Sequence, residues 1–531
     1  MMEHFLRKPV ASRRAYAQRR KTIAFSMLLA LGMAAALAAL MIGCGSVTAN
    51  SVATTPLPVV AALSASDVQN IVQTAAQAAD SAGMVIAVVD RGGSVLAVFR
   101  KPGAGASATS NFGASVDIND LAVALARTAA YFSNDQAPLS SRTVRFISGI
   151  HFPPGVVNTS NAALYGIENT NRGCTLATNF LAGQAVQPSL SLSGGPGLGI
   201  ITGKADLQDS DPNAVNPGGV PIFRSGVVVG GIGVTGVSPD IAEYAAYSAA
   251  TSNGFGPTPA APGVVFINGI ALPFVNQTTA PAGVNPGTFT GSFLVGPTAS
   301  AGQPPEGDLL APTAGAGGLS AADVQQILNN AEATANLTRA VIRLPIGSRA
   351  KMVIAVADLD GTLIGLRRMS DSTVFSIDVA VTKARNMVYF NSASRTAADL
   401  NQVPAGTAVT NRTIGFGAQP LFPPGIDGSS AGPFFNLYSQ DVANPCTQGF
   451  QSGPPNSNKS GIVFFPGSVG LFRNGVLVGG LGVSGDGVEQ DDYVTAGGAA
   501  GFEAPTQIRA DQVVINSVRL PYLKFPENPT N

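Results

Sequence analysis

One apolar stretch occurs twice in this chain: residues 84–93 read MVIAVVDRGG and residues 352–361 read MVIAVADLDG. The β-branched run predicts a buried strand, and the Asp and Gly residues at its end predict a tight turn. In the first occurrence residues 94–99 return as a second apolar run, so the stretch predicts a β-hairpin. Because hairpin strands pair antiparallel, this stretch indicates an antiparallel sheet.

The repetition extends far beyond the hairpin. Residues 63–69 (LSASDVQ) recur as residues 319–325 (LSAADVQ), and the FPPG of residues 152–155 recurs at residues 422–425. Six matched blocks follow one another in the same order in both halves of the chain. A period this long is unlike a solenoid, so each copy is predicted to be a domain with its own core.

Each copy predicts the order helix, hairpin, helix, hairpin, helix, strand. Ser64 and Ser320 are expected to cap the first helix of their copies, with an Asp three residues later. The last strand is predicted over residues 264–270 and 513–518. We therefore expect an α+β fold, with one antiparallel sheet per copy and helices on its faces.

Two glycine-rich stretches, residues 231–236 and 480–485, fit the GxGxxG fingerprint of dinucleotide-binding proteins. The strand before each is the second arm of a hairpin, and the strand at residues 264–270 carries no acidic residue for a ribose hydroxyl. Close packing of a helix on the sheet is therefore the expected role of these glycines.

The N-terminus predicts export. Basic residues between Arg7 and Lys21 precede an uncharged apolar run over residues 23–42, and Gly43-Cys44 follows it as in a bacterial lipobox. Cys44 is expected to be lipidated and to become the mature N-terminus, which places the protein on the periplasmic side of the inner or outer membrane. An uncleaved signal anchor and simple secretion are the alternatives.

The expected domain organisation follows from these patterns. It comprises a lipoprotein signal peptide (1–43), a flexible linker (44–62), a first domain (63–277), a Pro/Gly/Ala-rich linker (278–318) and a second domain (319–526).

Charge and motifs exclude several function classes. Residues 1–43 carry 7 of the 31 basic and 1 of the 31 acidic side chains, so the remainder has a net charge of −6. Nucleic-acid binding needs a basic surface and is not expected. The chain lacks the serine-hydrolase, nucleotide-phosphate, kinase and zinc-protease motifs, and its carboxylates sit at predicted turns and helix starts. No catalytic residue is predicted.

Several segments resemble one family. Residues 84–93 resemble its "VIAVVDxxG" segment, residues 382–385 (TKAR) its "KARTA" segment, and residues 479–485 with 489–491 (EQD) its "GAIGVSG…EQD" ending. The chain is similar to the GlcG/HbpS-like haem-binding and haem-degrading family, which includes the C-terminal domain of PduO-type proteins. The resemblance covers both copies and implies a profilin-like fold, a five-stranded antiparallel sheet with helices on its faces.

The resemblance also implies haem as a cofactor. His151 is then the candidate axial ligand and metal ligand, and Lys383 and Arg385 are candidate partners of haem propionates. Arg127 and Thr128 are the corresponding candidates in the first copy. Tyr131, Tyr389 and Met369 are further potential axial ligands, each with a structural alternative in the core.

Both copies depart from the family pattern. Leu125 stands in the first copy where Lys383 stands in the second, and the second copy has no histidine. The leading hypothesis is an envelope-anchored haem- or tetrapyrrole-binding protein in haem handling or redox sensing. The alternatives are an interaction or sensory module that no longer binds a cofactor, and an enzyme that degrades haem or acts on a small metabolite.

The resemblance implies oligomers, which many members of this family form, so the two copies are expected to pack as an intramolecular pseudo-dimer, or the chain to form an oligomer. Cys174 and Cys446 occupy nearly equivalent places in the two copies. They are expected to form a disulfide if both lie near the pseudo-twofold axis, and the exported location would preserve it. Two independent buried thiols are the alternative.

The lipid anchor can be tested by replacing its acceptor. In Cys44→Ala the thiol that carries the lipid is lost, so the protein should no longer partition into detergent and should keep the mass of an unprocessed chain. Intact-mass analysis and phase partitioning measure both properties. A variant processed and partitioned as wild type would contradict lipidation at Cys44.

Overall fold

The computed structural model describes residues 61–174, 191–195, 197–257, 265–393, 395–444, 446–450 and 460–530. The predicted signal peptide, Cys44 and nearly all of the first linker lie outside these residues. Within the described ranges, no helix is long and apolar enough to cross a membrane.

The first domain contains four α-helices and eight short or medium strands among its described residues. The helices are α1 Ala65–Gln77, α2 Ile118–Phe132, α3 Ser141–Phe146 and α4 Pro239–Thr251. The strands are β1 Val85–Asp90, β2 Val95–Arg100, β3 Ser107–Thr109, β4 Ser115–Asp117, β5 Gly219–Arg224, β6 Val227–Thr235, β7 Phe266–Ile267 and β8 Ile270–Ala271.

Among its described residues the second half repeats this order without counterparts of β3 and β4 and with one additional helix. Between the two copies lie β9 Ser292–Val295 and β10 Gly307–Leu310. The helices that follow are α5 Ala321–Leu337, α6 Phe375–Phe390, α7 Asn411–Gly417, α8 Phe435–Ala443 and α9 Val488–Gly498. The strands are β11 Met352–Ala357, β12 Leu363–Arg368, β13 Ser468–Arg473, β14 Val476–Gly485, β15 Val514–Ile515 and β16 Val518–Arg519.

Each domain has one five-stranded sheet, and the two sheets share one topology. The strand orders are β5-β6-β1-β2-β9 and β13-β14-β11-β12-β10, with every neighbouring pair antiparallel. The predicted α+β fold with two tandem copies is confirmed. The predicted capping boxes are present at Ser64 and Ser320, which accept from the backbone N–H of Asp67 and Asp323.

The segment 278–318 is more than the linker that its composition suggested. Its strands β9 and β10 close one edge of the first and of the second sheet, by pairing with β2 and β12. Phe289 stacks on Phe99 with ring centroids 4.9 Å apart, and the N–H of Gly287 donates to Gln77 O. Edge pairing uses the backbone, so the segment joins the sheets without the alternating apolar pattern of an inner strand.

The predicted last strand of each copy is not a sheet strand. Residues 266–271 and 514–519 each form a small hairpin whose strands are two residues long, β7–β8 and β15–β16. Both hairpins are separate from the five-stranded sheets. Positive φ at Asn268 and Asn516 makes each hairpin turn after two residues. The fifth strand of each sheet therefore comes from the segment between the domains.

The helices lie in layers around the two sheets. On one face of the first sheet, Ile86 and Val88 pack on α1 and α4. The second sheet packs on α5 and α9 in the same manner. The opposite faces contribute Val85, Ala87 and Val353 to a core that also contains α2 and α6 and belongs to both domains.

The glycine-rich strands allow a helix to lie directly on the sheet. A Cβ at Gly233 would lie 2.0 Å from Ala122 O of α2, and a Cβ at Gly482 would lie 2.1 Å from Ala380 O of α6. Any side chain at these positions would push the helix away. The GxGxxG pattern thus serves backbone packing in both domains.

Equivalent residues of the two copies meet at the domain junction. Tyr165 and Tyr438 stack with ring centroids 4.9 Å apart, and each follows a Leu in its copy. Cys174 and Cys446 form a disulfide with a Cα–Cα distance of 5.3 Å. In a pseudo-twofold arrangement, equivalent residues that lie near the axis contact each other, as these two pairs do.

The disulfide is expected to contribute to stability. Replacing both cysteines (Cys174→Ser with Cys446→Ser) should lower the free energy of unfolding by about 2–4 kcal/mol, because the cross-link restricts the unfolded chain. Denaturant unfolding of the exported protein measures the difference. Reductant should lower the free energy of unfolding of wild type but leave that of the double variant unchanged. Two alkylatable thiols in the wild type would contradict the disulfide.

Candidate functional site

A cleft of about 690 Å³ lies between the two domains. Its size is within the range of about 300–1,000 Å³ that is usual for small-molecule sites. The first domain contributes the end of α3 and hairpin β7–β8, and the second contributes the loop before β11, the β14–α9 connection and the C-terminal segment. The described lining comprises residues 147, 163–164, 266–269, 339–344, 346, 375, 484–485, 487–491 and 524–527.

Large apolar side chains lie exposed in this lining. Phe266, Phe525 and Ile346 are 45%, 48% and 80% exposed, although each belongs to the cleft. Exposed apolar groups of this size, gathered in a concave surface, are typical of a binding site for an apolar ligand.

Two arginines of the cleft differ in their availability. Arg343 is buried and forms ion pairs with Asp371 and Asp486, to which its Nε donates over 2.8 Å. Arg339 is half-buried, and within the described part of the chain its guanidinium forms no hydrogen bond or ion pair. Arg339 is thus the cation in the lining that is available to a carboxylate of a ligand.

The other end of the lining carries the family segment Glu489-Gln490-Asp491 at the start of α9. Glu489 pairs with Lys524 of the C-terminal segment. Asp491 is 2% exposed, and its Oδ2 accepts a hydrogen bond of 3.0 Å from the buried ammonium of Lys383. Burial raises the pKa of Asp491 to about 7, against the opposing effect of Lys383.

Lys383 therefore reaches the site only through Asp491. Its Nζ also donates to Val483 O over 2.7 Å, and its side chain is fully buried. Burial lowers the pKa of Lys383. An ammonium held in this way positions a carboxylate and has no free surface to offer a propionate.

The other candidate cofactor residues lie in the core. Arg385 donates to Gly361 O over 3.0 Å, and Arg127 donates to the equivalent Gly93 O over 2.9 Å. Thr128 Oγ1 donates to Ala124 O and accepts from the N–H of Ile201. Each arginine thus holds the turn after the first strand of its sheet, and these residues are not in the cleft lining.

His151 lies on the FPPG loop of the first domain, half-buried and outside the described cleft lining. Its Nε2 lies 2.8 Å from Oδ1 of Asp427, which follows the equivalent loop of the second domain. This hydrogen bond lowers the pKa of the Asp427 carboxyl. The structure thus places His151 in a contact between the two domains, apart from Lys383 and Arg385.

The remaining ligand candidates are also engaged within the core. The hydroxyl of Tyr389 donates to Asp399 over 2.5 Å, that of Tyr131 lies 3.4 Å from Gly92 O, and Met369 is buried. In the described ranges no group of three or more His, Cys, Asp or Glu side chains could hold a metal ion.

Arg339, Phe266 and Asp491 line the cleft but were not predicted as site residues from the sequence. Arg339 and Phe266 belong to different copies and to no repeated block, so no local pattern connects them. Asp491 was recognisable as part of the EQD segment, which resembles the family's ending, and that resemblance was the available signal.

Comparison with known proteins identifies the family of both domains. The profile described as "Haem degrading protein HbpS-like" matches residues 63–251 and 319–500, which is more than half of the chain. No curated protein matches the chain.

Three solved structures each match about a third of this chain. The crystal structure of a PduOC–haem complex is 23% identical, covers 35% of this chain and 97% of its own, and has a TM-score of 0.23. The Klebsiella pneumoniae protein ORFY is 21% identical, with 35% and 92% coverage and a TM-score of 0.23. A double mutant of Streptomyces reticuli HbpS is 17% identical, with 36% and 97% coverage and a TM-score of 0.20. From the two profile matches, the chain belongs to the HbpS-like family of haem-degrading proteins and carries two copies of its domain in tandem.

Proposed function

We propose that the cleft between the domains binds haem or a related tetrapyrrole, and that the protein takes part in haem handling at the bacterial cell envelope. Membership of the HbpS-like family supports the ligand class. The signal-like N-terminus with Cys44 supports a lipid-anchored, periplasmic location.

The observation that carries this proposal is the combination of apolar walls and an available cation in one cleft. A tetrapyrrole is a flat apolar ring system with carboxylate side chains. Phe266, Phe525 and Ile346 offer apolar surface to the ring, and Arg339 offers a guanidinium to a carboxylate.

The residues that line the cleft suit the ring and the propionates of haem better than they suit its iron. His, Cys, Met and Tyr side chains, the usual axial ligands, do not occur among the described lining residues. When bound, haem would supply redox and ligand-binding chemistry at its iron. The residues of this chain would bind the ring and orient its carboxylates.

The second domain supplies most of the lining, and its family segment is not matched in the first. Where the second copy has Glu489-Gln490-Asp491, the first has Asp240-Ile241-Ala242. Because the first domain lacks this segment, we propose that each chain binds one ligand.

A haemin titration of the full-length protein in detergent tests the proposal. A Soret band should develop and saturate at one haemin per chain, and Arg339→Ala should weaken binding about tenfold because a charge-assisted hydrogen bond is lost. Absorbance is the signal of choice, since the chain has no Trp whose fluorescence haemin could quench.

Two control variants locate the site. Arg519→Ala removes an exposed arginine of β16 outside the cleft and should bind as wild type does. His151→Ala should also retain the spectrum, whereas loss of the Soret band in this variant would move the site to the FPPG loops. Absence of any spectral change with wild type would instead favour a module that binds no cofactor.

A further inference from the structure

The two domains have the same structure at their ends as far as Lys524. In each copy a carboxylate of α4 or α9 accepts the backbone N–H three residues after the Leu-Pro pair. Glu243 accepts from Asn276 over 2.9 Å, and Asp492 accepts from Lys524 over 3.0 Å. Beyond this bond the first copy continues into the segment that joins both sheets, whereas residues 525–530 join neither sheet. These residues are therefore additional to the domain that both copies share.

Residues 525–530 run along the second-domain wall of the cleft. At their start, Phe525 packs edge-on against Tyr493 of α9, with ring centroids 5.4 Å apart. Near their end, Pro529 O accepts a hydrogen bond of 2.6 Å from the backbone N–H of Arg339. Both Arg339 and the first turn of α9 belong to the cleft lining, so the segment connects two parts of one wall.

A second attachment comes from a residue outside the described lining. The exposed guanidinium of Arg349 donates to Thr530 O over 3.0 Å and to Leu337 O over 2.9 Å. Four of the six residues 525–530 are exposed, and no strand pairing or helix holds the segment. Because water competes for exposed hydrogen-bonding groups, each attachment is weak. The segment can therefore leave the wall while the domain stays folded.

This weakly held segment contributes directly to the cleft. Phe525, Pro526 and Glu527 belong to the lining. Arg339 connects the segment to the ligand, because its backbone N–H holds Pro529 while its guanidinium is available to a carboxylate. The position of the segment and the position of the ligand's cationic partner thus depend on one residue.

Resting on the proposed tetrapyrrole site, we propose that residues 525–530 form a retaining strap, whose attachments to Arg339 and Arg349 set how long a tetrapyrrole stays bound. With the strap attached, Phe525 lies against the ring and excludes water from that side. With the strap detached, the ring loses this wall and the ligand leaves. The strap therefore regulates release, while the core of the domain keeps its structure.

The first test weakens the attachment without changing the lining. Arg349→Ala removes the donor to Thr530 and leaves every described lining residue in place. Haemin should leave this variant about threefold faster than wild type, because one hydrogen bond of the strap is lost. Transfer of haemin to excess apomyoglobin, followed by absorbance, measures the rate. The control Arg519→Ala should release haemin at the wild-type rate, and a wild-type rate in Arg349→Ala would contradict the strap.

The second test removes both attachments. Deletion of residues 528–531 eliminates Pro529 and Thr530 but keeps residues 524–527, which are the lining residues of this segment. Haemin should dissociate about tenfold faster, since two hydrogen bonds are lost. The unfolding temperature of the ligand-free protein should stay close to that of wild type, because the bond of Lys524 to Asp492 remains. A large fall in this temperature would place the segment in the domain core and overturn the inference.

Hydrogen exchange at the backbone amide of Arg339 reports on the strap itself. Its exchange should be faster in Arg349→Ala than in wild type, and bound haemin should slow it in both proteins. Saturable haemin binding with equal dissociation rates in wild type and in both strap variants would overturn the strap alone. Failure of wild type to bind haemin would overturn the proposed function, and the strap with it.

Discussion

The close approach of one helix to one strand in each domain is the constraint on which the remaining geometry depends. At Gly233 and Gly482 the backbone of the strand lies against the backbone of α2 or α6, with no room for a Cβ. This contact fixes each helix on the inner face of its sheet, within a core that the two domains share. Residues near the start of α6, such as Phe375, consequently reach both the shared core, where Phe375 stacks on Phe132, and the cleft.

Much of each domain could be predicted from local patterns. The hairpin predicted from residue 84 corresponds to β1 and β2, with bounds shifted by one residue, because a β-branched run and a glycine turn specify it. The two edge strands could not be predicted, since they lie in a segment rich in Pro and Gly, a composition that is typical of a linker. The cleft could not be predicted because its walls come from both domains. The repeated motifs predict the structure within each domain but not which residues of the two domains face each other.

The two copies have diverged most informatively in their interiors. The pairs Arg142–Glu243 and Arg412–Asp492 occupy equivalent positions, so this ion pair is retained in both domains. The Lys383–Asp491 pair has no such counterpart, since Leu125 and Ala242 stand in its place. Replacement of both members together avoids a buried charge without a partner, which is the costly outcome. The retained pair holds the architecture, and the unmatched one distinguishes the second domain.

The segment between the domains sets where the chain can be divided. A gene fragment that ends at residue 277 would omit Ser292–Val295, and the truncated product would leave strand Val95–Arg100 as an uncovered edge. Fragments that begin at residue 319 would lose Gly307–Leu310 and leave Leu363–Arg368 uncovered. Uncovered edges recruit strands from other molecules, so such half-length products are prone to aggregate. Excision boundaries within residues 300–306, after the first edge strand and before the second, would give each half its complete sheet.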